Sequence, residues 1–317
     1  MTSRVSVILC ASILLSSCAD DDPTQSYPTV RREDMLPGDI AKRGPETDHH
    51  PPILHSPEYE SPVPVPGAIN TAGAEDSPFI LPDGSVMYFF FTPDVRVPVE
   101  QQLLDNVTGV WVSRREGDAW GEAERVWLQE PGKLSLDGAV CVQDDEMWFA
   151  SAREGYVGVN MFTARRVGNT WADWQYVGDR LMKELQIGEV HLHNDSLYFH
   201  SPRSGGFGDY DIWVTRQRGG TWEDPRHLAA VNTPEMDGFP FVSSDGRELW
   251  FTRTYLGTPA VFRSLGQGDT WGEPELIVSQ FAGEPTLDDE GTLYFVHHFY
   301  EHGVMIEADI YVARRRG

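Results

Sequence analysis

Carboxylates recur in this chain at positions that a repeat would bring together. Glu75, Asp137 and Asp237 each stand eight residues before a turn aspartate, Asp83, Asp145 and Asp245. Glu189 and Glu284 come about two residues later in their own copies. Two residues along a strand is the same side, so the expectation is five acids near one mouth of a channel. Such a ring could hold a divalent cation, or supply an acid and a base, because crowded like charges raise some of their pKa values. The same places would suit acids that cap turns or pair with an arginine of their own copy. Arg153, Arg203 and Arg253 follow at spacings of 50 and 50. Converging, they could clamp a carboxylate ligand; as repeat residues they would partner Asp211 or the acids just named. Glu189, His191 and His193 alternate along one strand at a spacing a metal can bridge, and His297, His298 and His302 fall on the same expected face.

The elements that position these residues are read from self-similarity. Trp120, Trp171, Trp222 and Trp271 each close a short polar turn and lie 51, 51 and 49 residues apart. A second turn recurs as Pro82-Asp83-Gly84, Asp144-Asp145, Asn194-Asp195, Ser244-Asp245-Gly246 and Asp289-Glu290-Gly291, each followed by an aromatic run such as Leu197-Tyr198-Phe199. Four short strands per copy with no intervening helical pattern predict an all-β fold: a five-bladed β-propeller of four-stranded antiparallel blades. The fifth copy stops after its third strand. Tyr59-Glu60-Ser61-Pro62 is similar to Trp222-Glu223-Asp224-Pro225, so residues 59–69 are expected to supply the missing outer strand and close the ring. In a blade, the connection into the first strand and that between second and third emerge on one face. All the candidate residues are assigned there, with two insertions, Thr92 to Val107 and Phe299 to Ala308. Tyr255, Phe207 and Tyr300 could offer flat surfaces to a sugar or a peptide.

The stretch Tyr198-Phe199-His200-Ser201-Pro202-Arg203-Ser204-Gly205-Gly206-Phe207-Gly208-Asp209-Tyr210-Asp211-Ile212-Trp213, with Ser244-Asp245-Gly246-Arg247-Glu248-Leu249-Trp250-Phe251, resembles the TolB-like propeller repeats of bacterial envelope proteins. The resemblance covers residues 59 to 317 in outline and implies the fold. Such repeats serve both as protein-binding modules and as parts of enzymes, so it implies less about function. Ser264 to Trp271 also resembles a sialidase Asp-box without its aspartate, and no tyrosine–glutamate nucleophile pair is evident.

The chain has 317 residues, 25 Lys+Arg against 49 Asp+Glu, and a formal charge of −24, which repels nucleic acid. Met1-Thr2-Ser3-Arg4 and the apolar run Val5 to Leu15 read as a signal peptide over residues 1–17. Leu15-Ser16-Ser17-Cys18 matches a bacterial lipobox with Cys18 as the lipidated residue. Ala19 after that cysteine points to the outer membrane, facing the periplasm. Residues 18–57, with Asp20-Asp21-Asp22, many prolines and His49 and His50, read as a disordered tether, and 58–317 as the propeller. With Cys18 acylated, Cys141 has no disulfide partner. The expectation is a monomeric, lipid-anchored envelope propeller that binds a protein or glycan partner. The competing reading is a carbohydrate-active enzyme, a glycoside hydrolase or metal-assisted lyase, that uses the channel-mouth carboxylates.

Overall fold

The computed structural model describes residues 26–268 and 270–317. The signal peptide and Cys18 lie outside the described residues. The chain is all-β apart from short helical turns such as Val99–Gln102 and Arg180–Leu185. Its strands form successive antiparallel meanders. The innermost strands are Ala74–Ile80, Ser135–Gln143, Val190–His193, Asp237–Val242 and Ala282–Leu287, and each pairs with the aromatic strand that follows it. Each inner strand touches the next along the chain, and the last touches the first.

The aromatic runs form second strands because both of their faces are buried. Phe89 and Phe91 point into one apolar cluster and Tyr88 into another; Leu249 and Phe251 are likewise separated from Trp250. The tight turns ahead of them need left-handed backbone. Gly84 takes it at φ 71°, while Asp144 and Asn194 take it at 55°, as short polar side chains tolerate.

The turn tryptophans join neighbouring meanders edge to face. Tyr88 meets Trp171 (6.4 Å between ring centroids), Trp148 meets Trp222 (6.0 Å), Tyr198 meets Trp271 (6.2 Å) and Tyr294 meets Trp120 (6.3 Å). Trp250 is matched by Tyr59, at 6.0 Å and 89°. Tyr59 thus occupies the place of a turn tryptophan in the last meander. Val63 and Pro64 pair with Val312 and Tyr311, the outer edge of that meander, and Tyr59 bridges to Arg315. Gly67 then crosses the turn of Trp120, where its absent Cβ would stand 2.1 Å from the Trp120 carbonyl oxygen.

Residues 26–57 depart from the expected solvated tether. Ile53–Leu54 pairs with Glu275–Ser279, and Arg32 is 1 % exposed. The expected loop Phe299 to Ala308 is likewise a continuation of its hairpin, with Glu301 opposite Val304.

Candidate functional site

The inner strands carry a repeated irregularity that sorts the predicted acids. Pairing slips between Asp76 and Phe79, Gly138 and Cys141, Gly238 and Phe241, and Gly283 and Thr286. At each slip one non-glycine residue is left-handed: Ser77, Ala139, Phe239 and Glu284, at φ 46–54°. In the third meander Gly188 N–H donates to the His200 carbonyl (2.8 Å), which places Glu189 at the same step. A bulge re-aims the residues on its far side. Ser77, Ala139, Glu189, Phe239 and Glu284 therefore line a central cavity of about 50 Å³, with Phe79, His191 and Phe241 beneath them. Left-handed backbone costs such residues about 1–3 kcal/mol each, and four of them surround one axis.

Glu75, Asp137 and Asp237 lie on the other side of the bulge and do not join this ring. Each is fully buried, and Asp137 and Asp237 are held by an arginine of their own meander. Asp137 accepts from Arg153 Nη2 (2.9 Å), Ser135 Oγ (2.7 Å) and Ser151 Oγ (2.6 Å). Asp237 accepts from Arg253 Nε (2.6 Å) and from Thr233 N–H and Oγ (2.7 and 2.8 Å). Glu75 has no arginine in its own meander, where Phe91 faces it. Arg32 reaches in from the N-terminal segment, stacks over Phe89, Phe91 and Trp111, and donates to Glu75 Oε1 at 3.0 Å. These guanidinium groups also tie down carbonyls: Arg153 that of Leu128, Arg253 that of Val231, Arg32 those of Ala68 and Ile69. Burial pushes Glu75 up to about 7 and raises Asp237, with the arginine opposing the rise in each case. Arg153 and Arg253 are thus structural pins, and no clamp of three arginines forms. Arg203 has no acid to pin, since Ile187 replaces it.

At the mouth itself Glu189 and Glu284 are joined by Asp76, the neighbour of the expected Glu75. Ser77 links two of them, its N–H donating to Asp76 Oδ1 (2.8 Å) and its hydroxyl to Glu284 Oε2 (2.5 Å). His298 Nε2 stands 3.8 Å from Asp76. Burial raises Glu189, to about 8, and raises Glu284 well above the usual carboxylate range, with the charge of Asp76 adding to both. Asp76 is also penalised by burial, but His298 outweighs that and keeps its carboxyl below its ordinary value. Burial thus favours the neutral form of Glu189 and Glu284, while His298 favours the charged form of Asp76 beside them.

The expected metal row does not converge. Glu189, His191 and His193 all face the channel but are strung along its length. His191 is buried against Phe241 (4.5 Å) with Nδ1 3.9 Å from Cys141 Sγ, and burial pushes it down to about 3. His193 opens into the opposite mouth, a cavity of about 490 Å³ beside Asp83, Asp144 and Asp289. Among the described residues no group of three His, Cys, Asp or Glu side chains is placed to hold a metal ion. His297 is engaged by Asp48 at 2.9 Å and His302 sits at a hairpin tip. Tyr300 stacks on Phe281 (4.4 Å) and is not free; Tyr255 and Phe207 each pack edge-on against one neighbour, Phe262 (6.0 Å) and His227 (4.7 Å), and remain exposed, at 36 % and 55 %.

The N-terminal segment runs over the face that carries the insertions. Lys42 sits on Glu307 (2.6 Å) and Asp309, Arg43 on Glu301 (2.7 Å), and Asp39 on Arg96 (2.9 Å). Burial lifts Asp309 to about 8 despite Lys42. The available sequence signal was the pair Glu307 and Asp309, buried acids with no cation of their own copy.

No known family matches the sequence, and no curated protein does. Solved structures that resemble it include TolB from Acinetobacter baumannii, at 12 % identity and a TM-score of 0.44, over 78 % of this chain and 55 % of that one. This chain thus spans about half the length of that TolB. A gluconolactonase from Xanthomonas campestris matches at 12 % identity and a TM-score of 0.46, over 87 % and 98 %. A family 117 glycoside hydrolase from Zobellia galactanivorans matches at 12 % and 0.49, over 84 % and 90 %. Identities this low with TM-scores below 0.5 assign neither a family nor an activity.

Proposed function

We propose that the chain is a five-bladed propeller closed by its N-terminal strand, anchored in the bacterial outer membrane through Cys18, and that it binds a protein or glycan partner with the face bearing Asp76, Glu189 and Glu284. The blade count and closure are supported by the cycle of inner-strand contacts and by the five aromatic pairs, one of which uses Tyr59. The anchor rests on the lipobox alone; a Cys18→Ala protein that still fractionates with membranes would refute it.

The observation that carries the binding reading is the size and charge of the mouth together. Pockets that enclose a small-molecule ligand run to about 300–1,000 Å³. A cavity of about 50 Å³ admits one functional group, not a sugar ring. Its donors and acceptors, with no arginine or lysine on them, suit an ammonium group or a hydroxyl presented by a larger partner. The hydrolase reading keeps one observation in its favour, the raised carboxyls beside a depressed one, which is the arrangement of an acid and a base.

Calorimetry with methylammonium and with calcium, on the native protein and on Glu189→Gln/Glu284→Gln, tests the reading. Binding that the substitutions abolish at unchanged melting temperature supports it. Unchanged binding with a fall in melting temperature contradicts it. Product release from a glycan panel that the same substitutions abolish would establish the hydrolase instead.

A further inference from the structure

Three of the meanders match a guanidinium with a carboxylate: Arg32 with Glu75, Arg153 with Asp137, Arg253 with Asp237. The third meander keeps the guanidinium and lacks the acid. Its local geometry repeats that of the second. Gly188 bonds the His200 carbonyl where Gly138 pairs with Ala150, so Ile187 stands where Asp137 stands, and Ser201 and Arg203 stand where Ser151 and Arg153 do. Ile187 is buried and offers no acceptor. Asp211 is already taken by the N–H groups of Phe207 and Gly208 (2.9 and 3.2 Å) and by His227 (3.3 Å).

Arg203 therefore has buried Nε and Nη1 donors with no acceptor among the described residues. The indole on which it stacks, Trp213 at 5.0 Å, has a buried Nε1 donor in the same condition. The first meander shows what a completed version looks like: Arg32 over Trp111 at 5.7 Å, with Trp111 Nε1 donating to the Val107 carbonyl at 2.9 Å. A buried cationic donor and a buried indole donor left unmatched on neighbouring side chains are costly, and an acceptor that reaches them is bound with corresponding preference. Arg203 is half-buried, and the turn through Gly205 borders the Trp213 ring, its would-be Cβ 3.7 Å away.

We propose that Arg203 and Trp213 form an oxyanion site on the third meander, taking a carboxylate or a sulfate-type group of a ligand. The protein's charge of −24 weakens the binding of free anions without preventing it, so small anions bind at high concentration and the group binds more tightly as part of an otherwise neutral ligand. The site is independent of the channel mouth and does not rest on the reading of the mouth as a binding site.

The test follows the Trp213 indole N–H resonance, assigned through Trp213→Phe, while sodium acetate or sodium sulfate replaces chloride at constant ionic strength. The native protein should show a saturable shift, with acetate alone effective for a carboxylate site and sulfate effective for a tetrahedral one. Arg203→Gln should lose the shift while remaining folded. Ile187→Asp, which supplies the missing carboxylate internally, should lose it and melt at a higher temperature. The Glu189→Gln/Glu284→Gln protein should keep it, so failure of this site and failure of the mouth are separable. No saturable shift in the native protein, or one that persists in Arg203→Gln, would overturn the proposal.

Discussion

At the scale of single residues, a carboxylate's role here is decided by which side of a bulge it occupies. The three acids that the turn spacing located are pins; the two located by alternation are at the mouth, because one left-handed residue breaks the period of two that was used to align them. The signal was present in the sequence. Gly138, Gly188, Gly238 and Gly283 interrupt strand patterns, and Pro78, Pro240 and Pro285 follow the slips, both being marks of a bulge. Read that way, Asp76 would have been placed on the mouth side from the outset. Glu189 should titrate near 8 by carbon-detected NMR, not near 4.5. Its folded pKa is raised, so the stability it contributes is complete below about 4.5 and is lost as pH rises through 8. Melting curves of Glu189→Gln should accordingly be flatter than native between pH 5 and 9. Arg32→Ala leaves Glu75 buried without its cation, and chemical denaturation should show a loss of about 3–5 kcal/mol. A loss under 1 kcal/mol would mean that Arg32 is ornamental.

At the scale of elements, the N-terminal strand was legible and the segment before it was not. Tyr59-Glu60-Ser61-Pro62 carries the repeat's own pattern, and it lies where that pattern predicts. Residues 26–57 have no period, because they are held by separated contacts, Arg32, Lys42 and Asp48 each in its own socket, which leave no trace in hydrophobic spacing. Tyr59 is fully buried against Trp250, and Tyr59→Ala should cost about 3–5 kcal/mol in denaturant unfolding. Near-native stability would argue that this strand is dispensable. Glu58 locks the same strand to its neighbour through Arg263 (2.9 Å) and Arg315 (3.1 Å), and the hydrogen bond from Arg263, against a smaller penalty of burial, holds its carboxyl down to about 2. Its folded pKa is depressed, so its contribution is present above about 4.5 and disappears as pH falls toward 2. Glu58→Gln should melt closer to native at pH 2 than at pH 6; an equal deficit at both would contradict the ion-pair account.

At the scale of the whole molecule, the inner strands touch in a cycle and aromatic pairs join the meanders from outside, so the acids between them divide into two kinds of work. Those bound to arginine hold meander exits in place and should be costly to neutralise. Those at the mouth are held against burial and against one another, so the fold gains nothing from their charge, which is the condition expected of groups kept for a ligand. The measurement that separates these directly is the melting temperature at neutral pH of four single variants. Asp137→Asn and Asp237→Asn should each melt roughly 5 °C or more below the native protein, because each leaves a buried arginine short of its partner. Glu189→Gln and Glu284→Gln should melt at or above it. If the mouth variants fall as far as the pin variants, the division fails, and Glu189 and Glu284 are scaffold like the rest.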